Sequence, residues 1–119
     1  MVEIWKFPLS EASRQEVEMP KFALILSLKV LEERPYIYAV VDTSKLSKVS
    51  RVFRTYATGE EMVKEGRQMI VLDHSEKHRL KDFHPTEDAL ALLYWGTYRT
   101  DGKEPFVGHV FEELDVEGL

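Results

Sequence analysis

Apolar and polar residues alternate most clearly between Phe22 and Asp42, FALILSLKVLEERPYIYAVVD. Phe22, Leu24, Leu26, Leu28 and Val30 all fall on even positions, with Ser27 and Lys29 between them. A period of two marks a strand with one buried face, so these five side chains are expected to face the core together. Glu32-Glu33-Arg34-Pro35 interrupts the run, and Tyr36 to Val41 resumes with β-branched and aromatic residues suited to a pleated surface. Two such runs joined by about four polar residues predict an antiparallel hairpin.

The same pattern predicts further strands on both sides. Val2 to Phe7 alternates and ends at Pro8; Gln15 to Met19 alternates and ends at Pro20. Asp42 to Val49 is rich in hydroxyls and reads as a loop, followed by a strand over Arg51 to Ala57 with Phe53 directed inward. Thr58 and Glu61 have the spacing of a capping box, which predicts a short helix to about Glu65, stopped by Gly66. Met69 to Leu72 is a short apolar strand, and Asp73 to Phe83 fits a helix capped by Ser75. Thr86 offers another cap. Leu92 to Thr100 reads as a strand with Gly96 at a bulge or a close approach, Asp101-Gly102 as a turn, and Phe106 to Leu114 as the last strand. The tail from Asp115 to Leu119 is acidic and expected to be loose.

These elements predict a mainly β (α+β) single domain over residues 1–119. It would be a small antiparallel sheet or partly open barrel of about six to seven strands, with short helices between residues 60 and 93. A chain of 119 residues is long enough for a core without staples, and with no cysteine it has no disulfide, thiolate nucleophile or Cys-based zinc site. The opening residues MVEIWKFPLS lack the basic start and apolar run of a signal peptide, and no apolar stretch approaches the ~20 residues of a membrane helix. A cytoplasmic location is expected. The net charge of −5 argues against indiscriminate nucleic-acid binding. The absence of asparagine, with 31% charged residues, resembles the composition of heat-adapted proteins and leans toward a thermophilic source.

An ordered set of short pieces resembles a family of short, phage-associated proteins of unknown function. The pieces are Ile4-Trp5-Lys6-Phe7-Pro8-Leu9, Val17-Glu18-Met19-Pro20-Lys21, Ala23-x-Ile25-Leu26, Tyr38-Ala39-x-Val41-Asp42, Arg51-x-Phe53, Thr58-Gly59, Gly96-Thr97 and His109-Val110-Phe111-Glu112. Family members pass from the Thr-Gly to the Gly-Thr pair over a shorter segment, so residues 60–93 read as an insertion. The resemblance implies a viral or prophage origin and a β-rich fold, and carries no reaction with it.

Two constellations offer chemistry. His74, His78 and His84 lie in the mid-chain segment with Asp73, Glu76, Asp82 and Glu87 around them. On a helix His74 and His78 would share a face at a spacing zinc accepts, with His84 or Asp82 as a third ligand. The plainer reading is a solvated polar helix, and with Ser75 after His74 there is no metalloprotease motif. The second is basic: Lys45, Lys48, Arg51 and Arg54 fall in an acid-free stretch with Phe53 and Tyr56, a stripe able to hold phosphates while a ring stacks on a base. Its plainer reading is a charged strand edge that discourages aggregation. The aromatics Trp5, Phe7, Tyr36, Tyr38, Tyr94, Trp95, Tyr98 and Phe111 are expected in the core or in cross-strand pairs; an exposed one would mark a partner site.

No nucleophile elbow or phosphate-cradling glycine loop is present, so an enzyme is not expected. The leading expectation is a non-catalytic, phage-derived protein without a cofactor. It would bind a host macromolecule, chiefly a protein of transcription or defence, as part of host takeover. The alternative is a protein that sequesters a nucleotide or holds a divalent metal such as zinc. A weaker alternative is a virion or assembly component, for which a homo-oligomer would be the first sign.

Overall fold

The computed structural model describes residues 1–44, 47–62, 69–73, 75–76, 89–102 and 104–114. Within them lie eight strands: β1 (Val2–Pro8), β2 (Arg14–Pro20), β3 (Leu24–Leu31), β4 (Arg34–Asp42), β5 (Lys48–Ala57), β6 (Met69–Leu72), β7 (Leu90–Thr100) and β8 (Phe106–Leu114). They form two sheets, a three-stranded one in the order β1-β4-β3 and a five-stranded one in the order β2-β5-β8-β7-β6. The mainly β expectation holds, but as two sheets and no closed barrel. All pairs are antiparallel except β6 with β7, which run parallel. Met69 to Leu72 pairs with Leu90 to Leu93, so both ends of the mid-chain segment are built into the larger sheet.

The expected helices are not seen among the described residues. Thr58 does not cap one, because its hydroxyl is engaged by His109 at 2.7 Å. Instead Glu60 N–H donates to the Ala57 carbonyl, while Ala57 N–H donates to the Glu60 carboxylate, closing a tight turn after β5. Further along, Asp73 rather than Ser75 accepts the turn-closing bonds: Ser75 Oγ and Glu76 N–H both donate to its carboxylate, at 2.7 and 3.1 Å. The Ser75 bond, ahead of the others, keeps the Asp73 carboxyl below its ordinary range. Residues 63–66 of the first expected helix, the rest of the second, the Thr86 cap and the acidic tail lie outside the described residues. Among those described, no helix is long and apolar enough to cross a membrane.

The two sheets stack on a shared core of Leu9, Met19, Ile25, Ile37, Ala39, Val41, Phe53, Tyr98 and Val110. On β4 the alternation is complete: Pro35, Ile37, Ala39 and Val41 are buried, and Tyr36, Tyr38, Val40 and Asp42 are half-buried on the other side. Gly96 lets β3 approach β7, since a Cβ there would sit 3.2 Å from Leu28. The larger sheet also covers its far face, where Tyr56, Leu90, Leu92 and Phe111 cluster with Met62, Met69 and Tyr94. Tyr56 and Tyr94 pack on the Phe111 ring at centroid distances of 5.8 and 5.3 Å.

The central strand corrects the expectation most sharply. Ile25 pairs with Ala39 but Ser27 with Tyr38, which leaves Leu26 as the extra residue of a β-bulge. An inserted residue reverses which side chains face inward. Ahead of the bulge Ile25 is buried and Leu24 is 63% exposed; beyond it Leu28 turns inward beneath Gly96. The five even-numbered apolar residues therefore do not share a buried face. Their first half points to solvent.

Candidate binding face

The outer face of the small sheet can be assembled from its register. Leu24 on β3 lies opposite Val40 on β4, which lies opposite Ile4 on β1, giving an aliphatic row across all three strands. Val2 extends that row at one end, and Tyr38 and Tyr36 follow at the other. Ile4 is 63% and Val2 67% exposed, and Leu26 at the bulge is also open to solvent. Met1 and Phe22, next to the ends of β1 and β3, are 82% and 80% exposed, and exposed apolar side chains gathered on one face mark an interaction surface. The larger sheet covers its far face, and this one has no cover among the described residues.

Phe22, in the turn two residues ahead of Leu24, is the most unusual of the exposed apolar residues. The turn between β2 and β3 spans Pro20 to Ala23 and is closed by Ala23 N–H donating to the Pro20 carbonyl at 3.1 Å. Phe22 occupies its third position with φ +67°, where glycine or asparagine is the ordinary choice. A bulky side chain in the left-handed region costs about 1–2 kcal/mol. The ring is nonetheless 80% exposed, so burial does not offset that cost. Strain of this kind, kept where it does not help packing, clusters at functional surfaces.

Cations border the apolar row. Lys6 stands at an outer-face position of β1 and its ammonium sits 5.0 Å from the Tyr36 ring centroid; Lys21 sits 5.3 Å from the Phe22 ring. Lys29 lies opposite Tyr36 and Arg34 ends the face. The acid at outer-face register positions is Asp42, which pairs with the Met1 ammonium at 3.7 Å and accepts from Ser44. Glu32 and Glu33 lie past the end of the face in the hairpin turn, and Glu3 alternates to the other side.

The residues singled out by the sequence fall elsewhere. Arg51 and Arg54 leave β5 on opposite faces and do not form one stripe. Arg51 points inward and grips Glu112 with two bonds of 2.6 and 2.8 Å, while its third nitrogen donates to the Ala23 carbonyl at 2.7 Å. Trp95 Nε1 donates to the same carboxylate at 3.1 Å. These bonds tie the β2–β3 turn to the larger sheet, beside an open recess of about 270 Å³ at the ends of β5 and β8. Arg54 donates to Glu113 at 2.9 Å, with Arg14 on the same carboxylate at 4.0 Å. Burial works against the Arg54 charge, but the Glu113 bond and field outweigh it and raise its pKa. Lys48 is exposed at the start of β5, and Tyr56 is buried against Phe111. Lys45, His74, His78 and His84 lie outside the described residues, as do Asp82 and Glu87. Among those described, no group of three His, Cys, Asp or Glu could hold a metal.

His109 anchors a polar chain on the far face of the larger sheet. Its Nε2 meets the Thr58 hydroxyl at 2.7 Å and its Nδ1 the Thr97 hydroxyl at 2.9 Å, and Thr97 in turn meets the Tyr94 hydroxyl. Cross-strand register sets this up, because His109 lies opposite both Tyr56 and Thr97. Both ring nitrogens are satisfied by hydroxyl groups, and no carboxylate is among their partners in the described residues.

Three residues of the candidate face, Phe22, Leu24 and Leu26, look like core in the sequence, because an apolar run carries no mark of where a bulge will fall. The available signal was Pro20-Lys21-Phe22-Ala23, a turn-forming stretch with no glycine at the position that needs one. Comparison with curated proteins finds no match, and comparison with solved structures finds none. A family model described as a domain of unknown function, DUF7352, matches residues 1–118, and the chain belongs to that family.

Proposed function

We propose that this chain is a small non-catalytic binding protein of phage or prophage origin that engages a host macromolecule. A host protein of transcription or defence is the class we favour. The observation that carries the reading is the exposed apolar outer face of the small sheet, with Phe22 held against its backbone preference at one end. Contiguous exposed apolar surface rimmed by polar groups is the ordinary mark of a protein contact. Phage origin rests on the resemblance of the ordered motifs, and membership in a family of unknown function is compatible with it.

The alternative of a phosphate-holding stripe has less behind it. Of the cations it would use, Arg51 and Arg54 are each occupied by a carboxylate and Lys48 is exposed at the start of β5. The non-catalytic reading draws on His109, whose hydrogen-bonding capacity is taken up by threonine hydroxyls.

The test is site-specific crosslinking in host cells. A photoreactive residue at position 24 should give one dominant adduct, and the same residue at Val71, exposed on β6, should give none. The adduct should vanish when Ile4→Glu is introduced into the photoreactive protein. Indiscriminate labelling from both positions, or no adduct from either, would rule the binding face out.

A further inference from the structure

The charge on the outer face identifies what kind of partner it takes. The chain as a whole carries −5, yet Lys6 and Lys29 stand at outer-face positions and Lys21 in the turn leading to Leu24, while Arg34 at the far end is offset by Glu32 and Glu33 beside it. Among the described residues the acid at the face's register positions is Asp42, which pairs with the Met1 ammonium and accepts from Ser44. The face is therefore positive on a negative protein. Two of its cations are held over aromatic rings, Lys6 over Tyr36 and Lys21 over Phe22, which keeps their ammonium groups beside the apolar surface.

We infer that the outer face of the small sheet docks an acidic amphipathic segment of a partner protein. The Phe22 ring serves as the projecting anchor, Leu24, Ile4 and Val40 as the apolar floor, and Lys6, Lys21 and Lys29 receive carboxylates at the rim. This rests on the binding-face reading and specifies its partner. A second copy of the chain fits poorly, because stacking two such faces sets lysine rows against each other. A single-stranded nucleic acid fits poorly as well, because the most exposed strand positions are aliphatic, Tyr36 and Tyr38 are half-buried, and the chain carries −5 overall. The partner that uses both the floor and the rim has apolar residues on one side and carboxylates beside them, the arrangement of an amphipathic helix laid on a groove or face. Electrostatic complementarity of this kind sets the association rate and its salt dependence.

The test uses a fluorescent 18-residue model helix with leucines and a phenylalanine on one side and glutamates on the other, and a counterpart in which lysines replace the glutamates. Anisotropy should show saturable binding of the acidic helix, at least tenfold tighter than the basic one and weakening from 50 to 500 mM salt. Phe22→Ala and Leu24→Glu should each weaken it at least tenfold, with the melting temperature confirming that both variants fold. Equal binding of the two helices, or binding indifferent to both substitutions, would overturn the inference. So would a dimer in light scattering that Leu24→Glu dissolves, or tighter binding of a 20-nucleotide single strand or of phosphatidylserine vesicles at the same residues. If the helices fail while the crosslink from position 24 persists, the partner chemistry falls and the binding face stands; if both fail, both readings fall.

Discussion

Removing the carboxylate of Glu112 while keeping its shape, Glu112→Gln, should be among the most destabilising single changes in this chain. Glu112 is 5% exposed and accepts two short bonds from Arg51 and a third from Trp95. Arg51 is only partly exposed, so the substitution leaves a guanidinium with its counter-charge gone and little water to replace it. Breaking one partner of such a pair costs about 3–5 kcal/mol, whereas replacing both with apolar residues of similar volume is often neutral. Against a total stability of about 5–15 kcal/mol, that loss is large. For a chain of this length it lowers the melting temperature by roughly 10–20 °C. The double variant Arg51→Met/Glu112→Leu should recover most of the loss, because the flanking Phe53 and Trp95 provide apolar surroundings. Urea melts of Arg51→Met, Glu112→Leu and the double variant form a complete cycle, with an expected coupling of at least ~2 kcal/mol. A coupling within about 0.5 kcal/mol of zero would show that water screens the pair as it does a surface bridge, and the account of how the β2–β3 turn is fastened to the larger sheet would be wrong.

Two other substitutions test smaller pieces of the physics. Glu32 and Glu33 form the two-residue turn of the β3–β4 hairpin with φ values of +50° and +64°, where Asn-Gly is preferred, so Glu32→Asn/Glu33→Gly should stabilise the fold by about 1–2 kcal/mol in urea melts. Tyr98 is 2% exposed with a hydroxyl that has no hydrogen-bond partner among the described residues, so Tyr98→Phe should be neutral or stabilising by up to ~1–3 kcal/mol. Burial, aided by the charge of Glu11, raises the Tyr98 pKa above its ordinary value. A phenol whose folded pKa is raised contributes stability below its unfolded pKa and loses it as pH climbs, so the wild type should weaken above about pH 10 more steeply than Tyr98→Phe.

The strands were legible because period-two alternation is local, and seven of the eight are where the pattern puts them to within two residues, β5 starting three residues earlier than expected. The hairpin was legible too, though its loop tightens from a four-residue break to two residues. What the pattern could not carry was phase. A bulge at Leu26 reverses the side that Leu24 and Leu28 face, and leucine gives no local sign of it. At Gly96 the glycine did mark the second bulge. The Arg51–Glu112 pair joins residues 61 apart and the His109–Thr58 contact residues 51 apart; both depend on register between strands that the sequence does not specify locally. The candidate face was hidden for the same reason: its residues look like core until the phase is known.

Phe22→Gly tests that face most directly, because it sets stability and binding against each other. Glycine relieves the left-handed backbone and gives up a ring that is mostly in water, so the melting temperature should stay level or rise by a few degrees, up to ~1 kcal/mol. Measured on the same sample, binding of the acidic helix should drop at least tenfold. A melting temperature that falls while binding is untouched would make Phe22 an ordinary packing residue and contradict the account.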